Sequence, residues 1–528
     1  MLSALMAATA LACPALPLEG HWQAKHEGVD AISEIRLMGE DASDPRGFWI
    51  QPGNDYGGQS LATVMEFATN PGNAVSTPHP LKRDFTINIE IFCRNGEPTA
   101  WIENPEGNRV GPSRTYSLRQ ADDAVGLFAS ADAAEPAFVL RGDGPDYLLD
   151  FRQFRNLRVS RKPNDPPGPA AYAVPEADAV LPVAEATELG FDRAALDALT
   201  AELHRPVDRD RPRLIHSVLV ARGGKLVFEE YLRGYSRQVP HDTRSAGKTF
   251  SSLVAGALIA QGFDLSEDTL VADHIQMSGG DQARRITLGD LLTHRSGLAC
   301  DDADASSPGQ EDVLWSMAGQ RDFREYTASL PMVREPGTIH AYCSAGMDLS
   351  GAVYASVAGR SVLEIMEYDI ARPLGFENAY WNVVPGGDLY LGGGAFLRPI
   401  DMLKLGILAL QDGLWDGQRI MSEQWHRKAT SPIVPITPAT TGLSQEEFNN
   451  FYFGGTDGYA WHRHTIRTPD GRSFESYEAG GNGGQQIIVV PSLEMTVVFT
   501  GGNYGQGFIW GRWRDEIIGR YLIPALGR

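Results

Sequence analysis

The chain has 528 residues, 42% of them hydrophobic, with 57 glycines and 33 prolines, which describes a turn-rich globular protein of two or three units, not a disordered or fibrous one. Its formal net charge of −21 opposes long-range attraction to nucleic acid or to an anionic membrane surface, so the expected partner is a small-molecule or peptide-like substrate. Four cysteines, Cys13, Cys93, Cys300 and Cys343, are too few for a disulfide scaffold; no zinc-like Cys/His spacing, H-E-x-x-H, P-loop or strand-linked G-x-G-x-x-G occurs, and no metal or organic cofactor is expected.

Residues 1–12, MLSALMAATALA, form an apolar stretch too short to span a bilayer and ending in the small-x-small pattern Ala10-Leu11-Ala12, so a signal peptide is expected although no Lys or Arg precedes it. Cys13 follows directly and admits a lipid anchor. No later segment reads as a transmembrane helix. Export to the periplasm or the medium is the expected location.

Residues 13–162 read as short alternating segments between Asn, Gly, Asp and Pro turns, among them DFTINIEIF (Asp84 to Phe92), PTAWIENPEGN (Pro98 to Asn108), AFVLRG (Ala137 to Gly142) and YLLDFRQF (Tyr147 to Phe154). Period-two alternation of this kind predicts an all-β barrel or sandwich. Pro163, Pro166, Pro167, Pro169 and Pro175 stiffen a Pro/Ala-rich linker over 163–185. The remainder, 186–528, is expected to be one domain.

It opens with an amphipathic helix over 190–203, followed by SVLVARGGKLVFEEYL (Ser217 to Leu232), a hairpin turning at Gly223-Gly224. The run Thr243-Arg-Ser-Ala-Gly-Lys-Thr-Phe250 then contains the chain's only Ser-x-x-Lys. Three residues apart on a helix is one turn apart on one face, so the Lys248 amine can hang beside the Ser245 hydroxyl. The following TFSSLVAGALIAQG is apolar on nearly every side and predicts a buried helix, at whose start a charged Lys is costly unless paired or functional. A desolvated Lys can act as the base that a Ser nucleophile requires.

Further helices are expected over 286–298, 361–376, 402–415 and 508–522, with an exposed acidic loop over 301–312 and a strand pair in QQIIVVPSLEMTVVFTGG (Gln485 to Gly502). His462-x-His464 has no evident acidic partner and reads as a surface pair, not a metal site.

Five segments, SAGKTF, ITLGDLLTHRSGL, EPGTIHAYCSAGMDLSG, GGGAFLRPIDMLKLG and AGGNGGQQIIVVP, together and in this order resemble the serine hydrolases related to class C β-lactamases, penicillin-binding D,D-peptidases, esterases and 6-aminohexanoate-oligomer hydrolases. The resemblance covers most of 188–528 and implies an α/β fold: a class C β-lactamase-like catalytic domain with an antiparallel sheet flanked by helices and a helical subdomain. The N-terminal unit, with its NPEGN run, is similar to the lipocalin-like modules attached to some members.

Carried onto this chain, the resemblance implies Ser245 as the acyl-accepting nucleophile, Lys248 as general base and Tyr342 as general acid/base, with either of the last two able to take the serine proton. The N–H groups of Ser245 and Asn482 (or Gly481) would form the oxyanion hole. Ser344, Gly480, Gly481 and Trp461 would touch substrate, and Tyr504 would line the same pocket. Two departures stand out. Ser344 replaces an Asn, a smaller group with one hydroxyl, so a hydrogen bond to Lys248 or to substrate is expected to have a shorter reach or to be missing. Ala479-Gly480-Gly481 replaces Lys-Thr-Gly and removes the cation that grips a substrate carboxylate.

An ester or amide is therefore the expected substrate, cleaved through an acyl-serine, with β-lactamase activity weak or absent. The alternatives are a β-lactam- or peptide-binding sensor, a D,D-peptidase-like protein, or an acyltransferase on the same fold. His294, which would suit a Ser-His-Asp reading, is expected to be structural because no Gly-x-Ser-x-Gly elbow exists. Cys343 is expected to be a small buried filler.

Overall fold

The computed structural model describes residues 9–10, 18–37, 48–50, 74–102, 114–121, 124–130, 132–142, 146–151, 154–161, 170–205, 212–316, 321–377, 379–384, 388–452 and 454–527. Most of the leader, Cys13, the NPEGN run and the 163–169 part of the linker lie outside them.

Eight strands form a meander: β1 (Gly20–Leu37), β2 (Ala74–Arg94), β3 (Glu97–Ile102), β4 (Arg114–Ala121), β5 (Ala124–Phe128), β6 (Phe138–Arg141), β7 (Asp146–Phe151) and β8 (Phe154–Arg161). Each pairs antiparallel with the next, and β8 returns to pair with β1, Val159 opposite Ala24, so the sheet closes into a barrel. Closure pairs the first strand of the meander with its last, removing the edge where the two meet. The alternation read from the sequence is the reason it closes around a core: Ile87, Ile89 and Ile91, then Tyr116 and Leu118, then Phe138 and Leu140, then Leu157 and Val159 point inward and are buried. Tyr147 to Phe154, read as one segment, is divided between β7 and β8.

A short strand, Phe48–Ile50, links barrel to hydrolase-like domain: it pairs with β1 on one side and, in parallel, with Tyr380–Trp381 on the other. Asn88 Nδ2 also donates to the Arg233 carbonyl at 3.0 Å.

The second domain is built on an antiparallel sheet. Its strands are β9 (Ile215–Arg222), β10 (Lys225–Tyr231), β11 (His462–Arg467), β12 (Ser473–Gly481), β13 (Gln485–Val490) and β14 (Met495–Gly501), in the order β10-β9-β14-β13-β12-β11, extended by the short strands Thr456–Asp457 and Val434–Pro435. The ends of the chain segment thus meet in mid-sheet, β9 beside β14. The β9–β10 turn is Gly223-Gly224, both at positive φ (54° and 76°), the requirement of a tight hairpin turn that glycine meets without strain.

Both faces of this sheet are covered. Helix α1 (Arg193–Leu203) and the C-terminal helical segment Arg514–Leu522 bury Leu196, Leu199, Trp513, Ile517 and Ile518 against one face. Against the other lie α2 (Thr249–Ala260), α3 (Ser344–Ala358) and α4 (Pro399–Leu410), in the larger apolar core. Two expected helices are shorter than their patterns. The 286–298 helix is confined to Leu288–Leu292, started by a Thr287–Asp290 capping box and stopped by His294 at φ 54°; the 508–522 helix is broken between Trp510 and Arg514.

Candidate active site

Ser245 and Lys248 lie in one tight turn, Arg244–Lys248, that runs directly into α2. Residues 249–258 are all buried, so the turn is fixed from below. From above it is held by the Gly392–Gly394 stretch: Gly394 N donates to the Arg244 carbonyl at 2.9 Å, and Ala395 N to Thr243 Oγ1 at 2.9 Å. A Cβ on Gly393 would sit 3.1 Å from that Arg244 carbonyl oxygen, with the backbone at φ 133°. Glycine is needed there because two backbones touch. Arg244 itself is left-handed (φ 50°), a strained conformation for a residue with a side chain. Asp242 stabilises it by accepting from Arg244 N at 2.9 Å and pairing with its guanidinium at 3.3 Å.

Lys248 is 4% exposed. Its Nζ donates to Ser245 Oγ at 3.2 Å and to the Gly392 carbonyl, and stands 4.7 Å from the centre of the Tyr342 ring. Tyr342 also hydrogen-bonds with Ser245 and Lys248. Burial depresses the Lys248 ammonium, but Tyr342, Glu311 and Asp302 outweigh it and the net shift is upward. Burial likewise raises the Tyr342 phenol, and the neighbouring Lys248 offsets only part of that rise. At rest the site holds an ammonium and a phenol, not the neutral lysine expected from desolvation alone.

Besides Tyr342, the upward pull on Lys248 comes from a pair of acids that the sequence reading placed in an exposed loop. Asp302 accepts from Ser344 Oγ at 2.6 Å and from Ser344 N at 2.9 Å through Oδ2, and from Glu311 N at 3.0 Å through Oδ1. Glu311 accepts from Tyr390 Oη at 2.8 Å. Burial raises both carboxyls, and Lys248 pulls each back down. The signal was present: the acidic run ends in Val313-Leu314-Trp315, of which Leu314 and Trp315 are core residues, so the loop had to fold back inward.

Tyr342 is anchored on three sides. Its N–H donates to Tyr452 Oη at 3.3 Å, its carbonyl accepts from Asp302 N at 2.8 Å, and its ring lies 4.5 Å from that of His294. The next residue, Cys343, is not a free filler. It caps α3 and is joined to Cys300 in a disulfide. Cys93 is disulfide-bonded as well. His294 Nδ1 accepts from Cys343 N at 3.2 Å, and burial, the largest influence, keeps its imidazole neutral. This is the structural role expected of it.

A cavity of about 670 Å³ opens over Ser245, Tyr342, Asp302, Glu311, Gly480, Gly481 and Asn482. A Cβ on Gly481 would fall 2.3 Å from the Thr243 carbonyl oxygen, so β12 can lie against the Ser245 turn only with glycine there. At Gly480 the nearest atoms to such a Cβ are His462 Cδ2 at 3.8 Å and Glu478 Oε1 at 4.0 Å, which leaves space open to the cavity. Asn482 is pinned at the turn beyond, its Oδ1 accepting from Gly505 N at 2.8 Å.

Three residues expected at the substrate are elsewhere. Ser344 is fully buried, its hydroxyl spent on Asp302. Trp461 is 2% exposed and packs edge-on against Tyr477 in the core; its neighbour His462 takes the outward position. Tyr504, 2% exposed, is core too. His462 and His464, conversely, are not surface groups. Both line the cavity and both have acids: His462 Nδ1 is 2.7 Å from Asp457 Oδ1, and His464 Nε2 is 3.4 Å from Glu478 Oε1. Asp457, only five residues before His462, reaches it across a tight strand turn, and Glu478 comes from β12. Asp457 also meets His340 Nε2 at 3.2 Å. Burial would raise the Asp457 carboxyl, but His462 and His340 hold it well below the usual range, while Asp457 raises His462 against burial.

A serine beside a buried lysine, a tyrosine over that lysine and a Gly-rich strand edge, set between an antiparallel sheet and an all-helical region, define the β-lactamase-like fold. The sequence profile of the family described as Beta-lactamase matches residues 201–507, and the chain belongs to that family. Penicillin-binding protein 4 of Amycolatopsis lactamdurans is 26% identical over 203 residues, 36% of this chain and 49% of that protein; the chain thus spans about half the length of this curated relative. Among solved structures, a D-stereospecific amidohydrolase from Streptomyces sp. is 15% identical (TM-score 0.43; 57% of this chain, 94% of that one). EstCE1, a hydrolase with promiscuous acyltransferase activity, is 18% identical (TM-score 0.44; 59% and 95%). Among the described residues no His/Cys/Asp/Glu group could hold a metal ion, and no helix is long and apolar enough to cross a membrane.

Proposed function

We propose that the protein is a serine hydrolase that cleaves an ester or amide through an acyl intermediate on Ser245. The observation that carries this reading is the Lys248 ammonium, buried, 3.2 Å from Ser245 Oγ and shared with Tyr342 at the floor of an open cavity. A binding protein gains nothing from burying an ion against a serine hydroxyl.

In the proposed reaction the substrate carbonyl oxygen sits against the N–H groups of Ser245 and Asn482. Ser245 Oγ adds to the carbonyl carbon as its proton passes into the Lys248–Tyr342 pair, after that pair has lost one proton to solvent. Collapse breaks the C–O or C–N bond, and the pair returns the proton to the leaving alcohol or amine. Water then adds to the acyl-serine, again giving its proton to the pair, and cleavage of the ester hands it back to Ser245. Because the two groups interact strongly, they titrate as a unit.

Ala479 stands where the family's Lys-Thr-Gly carries its lysine, so the strand edge offers no ammonium to grip a substrate carboxylate, and β-lactamase activity should be weak or absent. The disulfide Cys300–Cys343 and the bonded Cys93 suit an oxidising compartment, which supports export. The closed eight-stranded meander is the form a lipocalin-like module would take, and we assign the barrel to that class.

The test is labelling with a fluorophosphonate together with turnover of a p-nitrophenyl ester series and nitrocefin. The native protein should be labelled and active on esters, Ser245→Ala neither. Equal labelling of both proteins would sink the reading.

A further inference from the structure

A second cavity, of about 460 Å³, adjoins the first, and His464, Gly507, Phe508 and Arg514 line both. Strand β11 runs from one to the other. His462 lies beside Gly480 in the first, and Arg467, five residues on, lines the second, about 17 Å away at the rise of a strand. Past Arg463 the outer edge of β11 has no strand partner; Asp515 meets it instead, accepting from Arg467 N at 2.8 Å.

The second cavity differs from the rest of this acidic chain in its charge. Four guanidiniums, of Arg463, Arg467, Arg512 and Arg514, face it against two carboxylates, Glu475 and Asp515. Arg512 Nε also meets Glu516 at 3.4 Å and Arg463 Nη1 donates to the Thr430 carbonyl at 2.6 Å, but the two lining carboxylates do not balance the four arginines. Asp515 is engaged by backbone, and Glu475 by the Thr465 hydroxyl at 2.9 Å, with Arg463 at 3.8 Å. The Arg467 guanidinium has no hydrogen-bond or ion-pair partner among the described residues. Arg514, at the junction of the two cavities and 7% exposed, reaches Glu478 only at 3.4 Å, and its Nε makes no hydrogen bond. A buried, incompletely bonded guanidinium between two cavities is costly unless something else completes it. Phe508, 69% exposed at the same junction, offers an apolar surface for a chain passing across it.

We propose that the second cavity is a distal subsite for an oxyanion, a carboxylate or phosphate, at the far end of an elongated substrate whose reacting carbonyl lies at Ser245. The assignment rests on the acyl-serine reading. It also places the loss of a cation at Ala479 in context: charge recognition is moved outward along β11, so this site selects long substrates with a terminal anion. Arginine suits that task because its planar fork binds either oxyanion through two hydrogen bonds.

The experiment compares kcat/KM for p-nitrophenyl half-esters of succinic, adipic, sebacic and tetradecanedioic acids with their methyl-capped forms and with an ω-phosphonate of sebacic length. A parallel series of acetyl esters of ω-hydroxy acids carries the charge on the leaving group instead. In at least one series the charged form should exceed its capped form by about tenfold at the longer lengths, since oriented ion pairs of this kind reach that size, and by far less at the shortest. The phosphonate arm shows which oxyanion is preferred. The charged-to-capped ratio should fall toward one in Arg467→Gln and in Arg512→Gln, and persist in Arg427→Gln, a surface control. Ratios near one throughout both series, with the esters still turned over, would overturn the subsite. If no ester is turned over, the acyl-serine reading fails, and calorimetry on Ser245→Ala decides the subsite separately. Tetradecanedioic monomethyl ester should bind, and bind at least tenfold more weakly when Arg467→Gln is added; no binding, or no weakening, overturns the proposal.

Discussion

On the wall of the cleft that carries Ser245, one ammonium, Lys248, faces two carboxylates, Asp302 and Glu311. On the wall that carries His462, acids and bases are more evenly matched: Asp457 sits between His340 and His462, and Glu478 between His464 and Arg514, though Arg514 Nε is left without a hydrogen bond. Matched pairs settle into fixed ionisation, which is why Asp457 stays a carboxylate and His462 stays cationic further up the pH scale. The Ser245 wall, with one ammonium against two acids and a phenol, is less evenly balanced. Its acids are raised by burial and its lysine by Tyr342 and the acids, so a proton can be moved within it at modest cost. The difference separates a wall suited to proton transfer from one suited to holding a substrate.

The sharpest way to break that comparison is to mutate each wall in turn. Tyr342→Phe keeps the ring over Lys248 and removes the proton carrier. On a short p-nitrophenyl ester kcat should drop by about two to four powers of ten, the usual worth of a general acid–base group. His462→Gln, on the other wall, should change kcat on the same ester by less than about tenfold. A fall of similar size in both would mean that the two walls share the chemistry.

The walls also differ in what holds them. The Ser245 side is cross-linked: Cys300 lies two residues before Asp302, and Cys343 directly follows Tyr342, with a sequence separation of 43. The His462 side has no disulfide among the described residues and is held by strand pairing, ion pairs and packing. Closing a loop of that length restricts the unfolded chain by about 4 kcal/mol in the chain-entropy account. Cys300→Ser with Cys343→Ser should therefore lower the urea midpoint by an amount near 2–4 kcal/mol of stability and lower kcat as well, because both acids and Tyr342 hang on the joined segments. An unchanged midpoint would show that packing alone fixes this wall.

How far each wall could be read from sequence follows the same division. Ser245, Lys248 and Tyr342 were legible because a single-turn spacing and a family order carry them. The barrel was legible because Ile87, Ile89, Ile91 and their counterparts repeat with period two. Asp302 and Glu311 were misread as loop acids: the apolar Leu314-Trp315 that ends the acidic run marks it as folding inward, but only the tertiary fold turns the two carboxylates toward Lys248. His462 and Trp461 exchanged places for a simpler reason. On a strand, adjacent residues face opposite sides, and which side faces the cavity is set by register with β12, His462 opposite Glu478. Cys300–Cys343 needed tertiary proximity that no spacing announces.

Removing one acid from the less balanced wall should move it toward the other. Asp302→Asn preserves an acceptor for Ser344 and deletes a charge that raises Lys248. The base form of the Lys248–Tyr342 pair appears as pH rises through a raised value. Without Asp302 that value falls, so the ascending limb of kcat/KM against pH should shift to lower pH by about one unit. Glu311→Gln should shift it in the same direction. A shift to higher pH would contradict the assignment of these acids as a source of the raised lysine.

The most local effect concerns the two glycines where the walls meet, and it is large at one of them and small at the other. A Cβ at Gly481 would strike the Thr243 carbonyl oxygen at 2.3 Å and approach Ala246 N to 3.0 Å, both backbone atoms of the Ser245 turn that cannot swing aside. Gly481→Ala must therefore push β12 away from the nucleophile and weaken the oxyanion contact. Loss of one such contact is worth about two to three powers of ten in kcat. Gly480→Thr meets nothing closer than 3.8 Å and restores only a hydroxyl where the family has one. It should leave kcat on a short ester within a few-fold and instead narrow access between Ser245 and His462, visible as a rise in KM for long substrates over short ones. Were Gly480→Thr as damaging as Gly481→Ala, the open space between the walls would not be a substrate path.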